Sequence, residues 1–201
     1  LNIVLERLEK SGFTINPKKV ILATTKIKFL GHILTPRGIQ VNPDRTEAIQ
    51  TYPRPKNLRA VRRFLGMTGF YSRFIPNYAT IAAPLNHLKK KNIIFKWKIE
   101  QEDAFQKLKH ALTTAPTLKM PDFSRPFVLQ CDASNNSIAA VLNQRMDEGL
   151  APIAYASKLL NSTQQNYPIY EKEIMSIVFG CEKFRTFLDH LHFTIQSDSQ
   201  A

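Results

Sequence analysis

The chain has 201 residues, 43% of them hydrophobic and 22% charged, which excludes wholesale disorder and leaves room for one or two domains with real cores. No apolar run reaches the roughly 18 residues of a membrane span, and no secretory leader pattern opens the chain. The net charge of +12 is uneven: residues 1–121 carry 22 Lys/Arg against 7 Asp/Glu, a net of +15, whereas residues 122–201 carry 6 against 9, a net of −3.

In chain order, Asn2 to Ser11 reads as the end of an amphipathic helix, with Ile3, Val4 and Leu8 at helical spacing and Ser11-Gly12 as the stop. Phe13-Thr14-Ile15, Lys19 to Leu22 and Lys26 to Leu30 are short apolar or β-branched runs that read as strands. Gly31 and Thr35-Pro36-Arg37-Gly38 punctuate a hairpin whose later arms are His32 to Leu34 and Ile39 to Val41. Asn42-Pro43 is a helix start, and Pro53-Arg54-Pro55 a helix break. Helices follow over about 58–74 and 81–88, giving a small basic helical module. Ile93 to Trp97 reads as a short strand-like link, and Gln101 to Thr113 as a helix with Phe105, Leu108 and Leu112 on one face. Pro116 and Pro121 bracket a linker, with a domain boundary near Asp122.

Beyond that boundary, strands are expected at Phe127 to Cys131, Ile138 to Gln144, Ile153 to Ser157 and Leu191 to Gln196. A long helix over Tyr167 to Leu188 should turn Ile174, Ile177, Val178 and Cys181 inward. Cys131 and Cys181 sit in apolar contexts without metal-like spacing and read as buried thiols, and the lack of a disulfide framework fits an intracellular setting. Neither end carries a closing element, as expected of a piece of something longer.

The charge split points to two tasks. A basic first part attracts a polyanion such as nucleic acid, and carboxylates in the second suit cations. A solvated basic surface without a partner is the plainer alternative. Asp132 and Asp198 each follow a strand, and Glu173 lies in the first turns of the long helix. Such strand and helix ends are where α/β sheets gather functional groups. Three converging acids repel unless cations are bound, and a magnesium pair about 3.5–4 Å apart activates water and stabilises the leaving oxygen of a phosphodiester. Three unrelated surface acids are the competing reading. In the helical module Arg62, Gly66 and Phe70 recur every four residues and form one stripe, with bare backbone at Gly66 open to close approach by a duplex. Helix–helix packing at Gly66 and Gly69 is the alternative.

The segments 127–134, 139–142 and 152–157, with Tyr167, Glu171-Lys172-Glu173, Glu182-Lys183-Phe184-Arg185 and Thr194 to Asp198, resemble the RNase H region of gypsy-type long-terminal-repeat retrotransposons. Phe29-Leu30-Gly31-His32 with Gly38-Ile39 resembles that family's primer-gripping hairpin. Pro53-Arg54-Pro55, Phe64-Leu65-Gly66, Tyr71 to Pro76 and Ala82 to Leu85 resemble its thumb. Trp97, Phe105 to Lys109 and Ala111-Leu112 resemble the link to RNase H. Ser137, Ala139 and Ser199 depart from the family's usual Gly, Gly and His.

The resemblance implies a mixed α+β and α/β fold: the end of a palm with its hairpin over 1–41, a helical thumb over 42–91, a connecting segment over 92–121, and a C-terminally truncated RNase H-like mixed sheet with helix over 122–201. It implies that Asp132, Glu173 and Asp198 match the first three of four catalytic, metal-binding acids, with two Mg2+ ions as cofactor. Glu171 is the alternative to Glu173; two residues apart, they point about 200° apart around a helix. Nucleic-acid contacts are implied for Phe29, Leu30, Gly31, His32, Arg62, Gly66, Phe70 and Arg73. The implied partners are an RNA–DNA hybrid, a primer–template duplex and the other Pol polyprotein domains. No Tyr-x-Asp-Asp polymerase motif occurs, so polymerisation by this chain alone is not expected. A host-retained, non-catalytic nucleic-acid-binding protein derived from such an element is the alternative function.

Overall fold

The computed structural model describes residues 1–197. Helix α1 (Asn2–Lys10) is followed by a 3-10 turn at Pro17–Lys19. The hairpin strands β1 (Ile27–Phe29), β2 (His32–Thr35) and β3 (Gly38–Val41) form a three-stranded antiparallel sheet. Leu30 and Gly31 join β1 to β2 and both have positive φ, which matches the right-handed strand twist of a two-residue hairpin. Glycine accepts that geometry freely and Leu30 does not, so the turn is strained by about 1 kcal/mol. No strand forms over 13–15 or 19–22, where the side chains stay exposed and, among the described residues, meet no opposing sheet.

The helical module comprises α2 (Pro43–Gln50), α3 (Leu58–Phe70) and α4 (Tyr78–His87), joined on the same core by α5 (Ile99–Thr113). Asn42 and Asn57 cap α2 and α3, accepting from the backbone N–H of Asp44 and Ala60. The link at 93–97 is not a strand; Phe95 and Trp97 pack on the core from an extended segment. Phe64 and Phe105 meet at 4.6 Å between ring centroids, among fully buried Val61, Phe74, Leu85 and Leu108. Each such side chain contributes about 1.5–3 kcal/mol of burial.

The second sheet has the order β6-β5-β4-β7, from β4 (Phe127–Ala133), β5 (Ser137–Met146), β6 (Gly149–Leu159) and β7 (Phe193–Gln196). The β4 strand runs antiparallel to β5 and parallel to β7. Between β6 and β7 lie α6 (Ser162–Gln165), α7 (Ile169–Lys183) and α8 (Arg185–Leu188), so the helix expected over 167–188 is interrupted at Phe184. Its inward face also differs from expectation. Ile177 and Cys181 pack on the core, but Ile174 and Val178 are 58% and 52% exposed, while Glu173, Ser176 and Gly180 are buried. Gly180 explains the rotation: a Cβ there would lie 3.0 Å from the Ala140 Cβ and 3.2 Å from the Leu129 methyl groups. The small residues, not the most apolar ones, set the face that approaches the sheet.

Strand β6 is shared by two cores. Ala154 and Ala156 face the α7 side with Phe127, Leu129 and Leu142, while Tyr155 packs on the helical core. Polar bonds reinforce the junction: Arg73 donates to the Ile153 carbonyl (3.3 Å), Ala79 N–H to Ser157 Oγ (2.8 Å) and Thr80 Oγ1 to Ser137 Oγ (2.9 Å). Leu118 pairs with Ile39 in both directions and Lys119 N–H donates to Pro152, tying the first sheet to the second. Among the described residues no helix is long and apolar enough to cross a membrane.

Two glycines carry this architecture. Gly38 has φ +134°, and a Cβ there would overlap the Leu118 carbonyl. Gly38→Ala is expected to lower unfolding free energy by at least about 2 kcal/mol through strain and loss of the Ile39–Leu118 bridge. Gly180→Ala should cost about 1–3 kcal/mol by overpacking. Urea unfolding of the two variants checks both values; a change within experimental error in either would mean the backbone relaxes freely there.

Candidate nucleic-acid interface and acidic site

The hairpin turn is clamped onto the end of α3. Tyr71 Oη donates to the Gly31 carbonyl at 2.6 Å. The His32 ring stacks between Phe70 and Phe74, at 5.2 and 5.6 Å, and meets Tyr71 edge-on. A Cβ on Gly31 would lie 3.1 Å from the Phe70 ring, so glycine there permits both the positive φ and the ring contact. His32 Nδ1 lies 3.0 Å from the Leu30 carbonyl and therefore donates to it, leaving Nε2 buried without a hydrogen-bond partner. Burial lowers the His32 pKa, opposed by the Leu30 hydrogen bond and assisted by the nearby Arg73 charge.

Of the remaining residues expected to meet nucleic acid, Arg62, Gly66 and Phe70 lie together on the exposed face of α3, with Phe70 55% exposed. Phe29 and Leu30 are also exposed at the hairpin tip. Gly66 has nothing within 4 Å of where a Cβ would sit, whereas a Cβ on Gly69 would lie 3.3 Å from Tyr78 Oη. Packing within the chain thus accounts for Gly69 and not for Gly66. Arg73 is placed differently. Its guanidinium turns into the junction with β6, donates to Ile153 and leaves Nε buried and unpartnered. Burial lowers its pKa.

The acids belong to the second sheet and the helix packed on it. Glu173 is only 7% exposed, and its Oε2 accepts from Ser197 Oγ at 3.1 Å. Ser197 directly follows β7, whose last rung pairs Gln196 with Gln130 on β4. Glu173 also bears on Cys131: the thiol pKa is pushed up to about 12, first by burial, then by Cys181, with Glu173 adding and a Ser176 hydrogen bond opposing. Asp132 is the next residue along β4, exposed and paired in register with Ala139. Strand alternation puts it on the sheet face opposite Cys131, where it lines a recess of about 150 Å³ with Pro76, Asn77 and Tyr155. Asp132, the next-to-last residue of β4, and Glu173, bonded to Ser197 just past β7, therefore both lie at the end of the sheet where these two strands stop. Asp198 lies outside the described residues. Among the described residues no three His, Cys, Asp or Glu side chains cluster closely enough to hold a metal ion. Glu171 is half-buried and accepts from Tyr170 Oη at 3.3 Å.

Tyr71 and Ser197 escaped the sequence reading as site residues. Each acts through one hydrogen bond to a residue 40 or 24 positions away, which no local periodicity encodes.

Comparison with known proteins reaches the same regions. Residues 97–195 match the RNase H-like domain found in reverse transcriptase. The full chain is 41% identical over 201 residues to the retrovirus-related Pol polyprotein from transposon 297 of Drosophila melanogaster. The chain belongs to the retroelement Pol polyprotein family. The corresponding polyprotein from Drosophila transposon opus is 37% identical over 199 residues, and the Gag-Pol polyprotein of baboon endogenous virus 38% over 165. The chain spans about a fifth of the transposon relatives, 19% of the first and 20% of the second, and 10% of the viral one. The Pol fold is shared with foamy viral protease-reverse transcriptase. Its complexes with RNA/DNA hybrid and with double-stranded DNA superpose at TM-scores of 0.85 and 0.86, at 24% identity, over 98% of this chain and 27% and 35% of theirs. This chain is thus a reverse transcriptase–RNase H region, built of a three-stranded hairpin sheet, a helical module and an RNase H-like sheet.

The depressed His32 pKa has a testable sign. A histidine held neutral in the fold contributes full stability above about pH 6.5 and loses it as pH falls towards the lowered folded value. His32→Phe keeps the ring stack and removes the titration. The loss of melting temperature between about pH 7.5 and pH 5 should therefore be smaller in His32→Phe than in the parent. Equal losses in the two proteins would mean that His32 protonates without cost.

Proposed function

We propose that this region holds an RNA–DNA hybrid or primer–template duplex, and that in the intact polyprotein it hydrolyses the RNA strand during reverse transcription. The observation that carries the reading is the bare, open backbone at Gly66 on an exposed basic helix. A mid-helix glycine costs about 0.5–1 kcal/mol relative to alanine, and here no contact among the described residues explains it. Close approach of a duplex backbone does. Arg62 one turn before it contacts phosphate or a groove edge, Phe70 one turn after it packs on sugars, and the Phe29 to His32 turn grips the primer strand. Arg73 serves this surface indirectly, by anchoring the end of α3 to β6.

The hydrolytic half of the proposal rests on Asp132 and Glu173. Both offer hard oxygen ligands suited to magnesium, and one or two carboxylates with water commonly suffice to bind it. RNase H-like domains generally use divalent metals, which supply an activated water and stabilise charge on the leaving oxygen. Asp132 and Glu173 would hold the metal, with Asp198 as the third acid assigned by family resemblance. Ser197 fixes one Glu173 oxygen, so that carboxylate is oriented in advance. Hydrolysis of the RNA strand leaves a 3′-hydroxyl and a 5′-phosphate.

Two measurements test the halves separately. Gly66→Ala should raise unfolding free energy by about 0.5–1 kcal/mol while weakening hybrid binding, and Arg62→Ala should reduce the salt slope of binding by about one. Unchanged affinity in both would remove α3 from the interface. For cleavage, residues 1–201 carry three of the four acids that the resemblance implies, so this stretch alone should cut a labelled hybrid poorly with magnesium. A Pol polyprotein containing it should cut well and lose that activity with Asp132→Asn. Robust, Asp132-dependent cleavage by residues 1–201 would show that the fourth acid is dispensable.

A further inference from the structure

Between the β1–β2 turn and helices α2 and α3 lies a cavity of about 570 Å³, which shares no lining residue with the recess beside Asp132. Leu30, Ile49, Met67, Phe70 and Tyr71 give it largely apolar walls, and Arg45 stands at its polar side. Its volume falls in the range of small-molecule sites, which pair apolar lining with a few fixed polar groups. Arg45 is exposed and makes none of the ion pairs found among the described residues. Its charge is felt at the Tyr71 hydroxyl, where it opposes the upward effect of burial. The guanidinium and the apolar walls therefore serve one space. Leu30 is 76% exposed and held at positive φ beside that space, so the chain's own most apolar turn residue does not fill it.

We infer that this cavity binds a small aromatic anion, with its rings between Met67, Phe70 and Tyr71 and its carboxylate or sulfonate on Arg45. The aromatic walls favour offset or edge-on ring contacts, and the Met67 thioether adapts to an irregular ring edge. Arginine presents a planar fork that matches an oxyanion group. The anion's charge selects it over a neutral hydrocarbon, and its size excludes inorganic phosphate, which would leave the apolar walls unfilled. Under the proposed function, an occupant there would also compete with a duplex. It would stand against Phe70 and the Leu30–Gly31 turn, both assigned to the nucleic-acid surface. This second consequence rests on that proposal; the site itself does not.

The probe is 8-anilinonaphthalene-1-sulfonate, titrated into residues 1–201 and followed by fluorescence and calorimetry. One saturable site is expected. Arg45→Ala should weaken it about tenfold, the loss typical of one charge-assisted contact. Ala48→Trp, which fills the cavity from an exposed position on α2, should abolish it; thermal melts confirm that both variants stay folded. Because the dye also adheres to exposed apolar surface, the variants decide. Non-saturable binding, or binding unchanged in both, overturns the site. A duplex is then added to the loaded protein: displacement of the dye supports competition, and a dye that stays bound beside bound duplex overturns competition alone. If no duplex binds even without dye, the nucleic-acid proposal fails, and the site is judged by the titration and its variants.

Discussion

The alternation of β6 is the constraint on which the rest of the molecule depends. From Ala154 to Ala156 its successive side chains leave opposite faces, so Ala154 and Ala156 serve the α7 core and Tyr155 serves the helical core, while Ile153, at a register shift just before them, joins the α7 core as well. Neither core is closed without it. The same strand accepts the polar bonds from Arg73 and Ala79, and Lys119 N–H reaches Pro152 on it. A shift of β6 by one residue would exchange its two faces and disturb both cores at once. The basic helical module and the RNase H-like sheet are therefore not beads on a linker; they share a wall.

From that wall a continuous path of contacts leads to the hairpin. Arg73 bonds to β6, its neighbours Phe74 and Tyr71 pack in the helical core, and both touch His32. Tyr71 also holds the Gly31 carbonyl. The hairpin tip, strained at Leu30, is held by this aromatic cluster, because its own two-residue turn has the wrong residue for its conformation. This arrangement gives the tip a fixed position relative to the open face of α3. It also explains why Arg73 is embedded while Arg62, on the stripe with Gly66, is exposed.

Much of the fold was legible from local chemistry. Asn42-Pro43 announced α2, and the strands around Phe127, Ile138 and Ile153 lie where their apolar runs placed them, each somewhat longer. Where the reading went astray, a tertiary partner was absent or unexpected. The runs at 13–15 and 19–22 have strand-like composition but, among the described residues, no neighbouring strand to satisfy their backbone. For helix α7, hydrophobicity alone predicts an inward face of Ile174, Ile177, Val178 and Cys181. Gly180 instead set the approach, since a helix comes closest to a sheet where its side chains are smallest. The candidate site was legible to the same degree: Asp132 stands out at a strand end, whereas the Ser197 hydroxyl on Glu173 joins residues that only the β4–β7 pairing brings together.

The sequence by itself determined the family, the charge division between a basic first part and a mildly acidic second, and most element identities, because each is written in residue types and short spacings. Tertiary structure alone decided which glycine was for packing and which was left open, which arginine was embedded and which exposed, and how two cores share β6. It also decided that a Ser197 hydroxyl just past β7 meets the Glu173 carboxylate. These outcomes depend on distances between residues tens of positions apart, and such distances exist only once the sheet has formed.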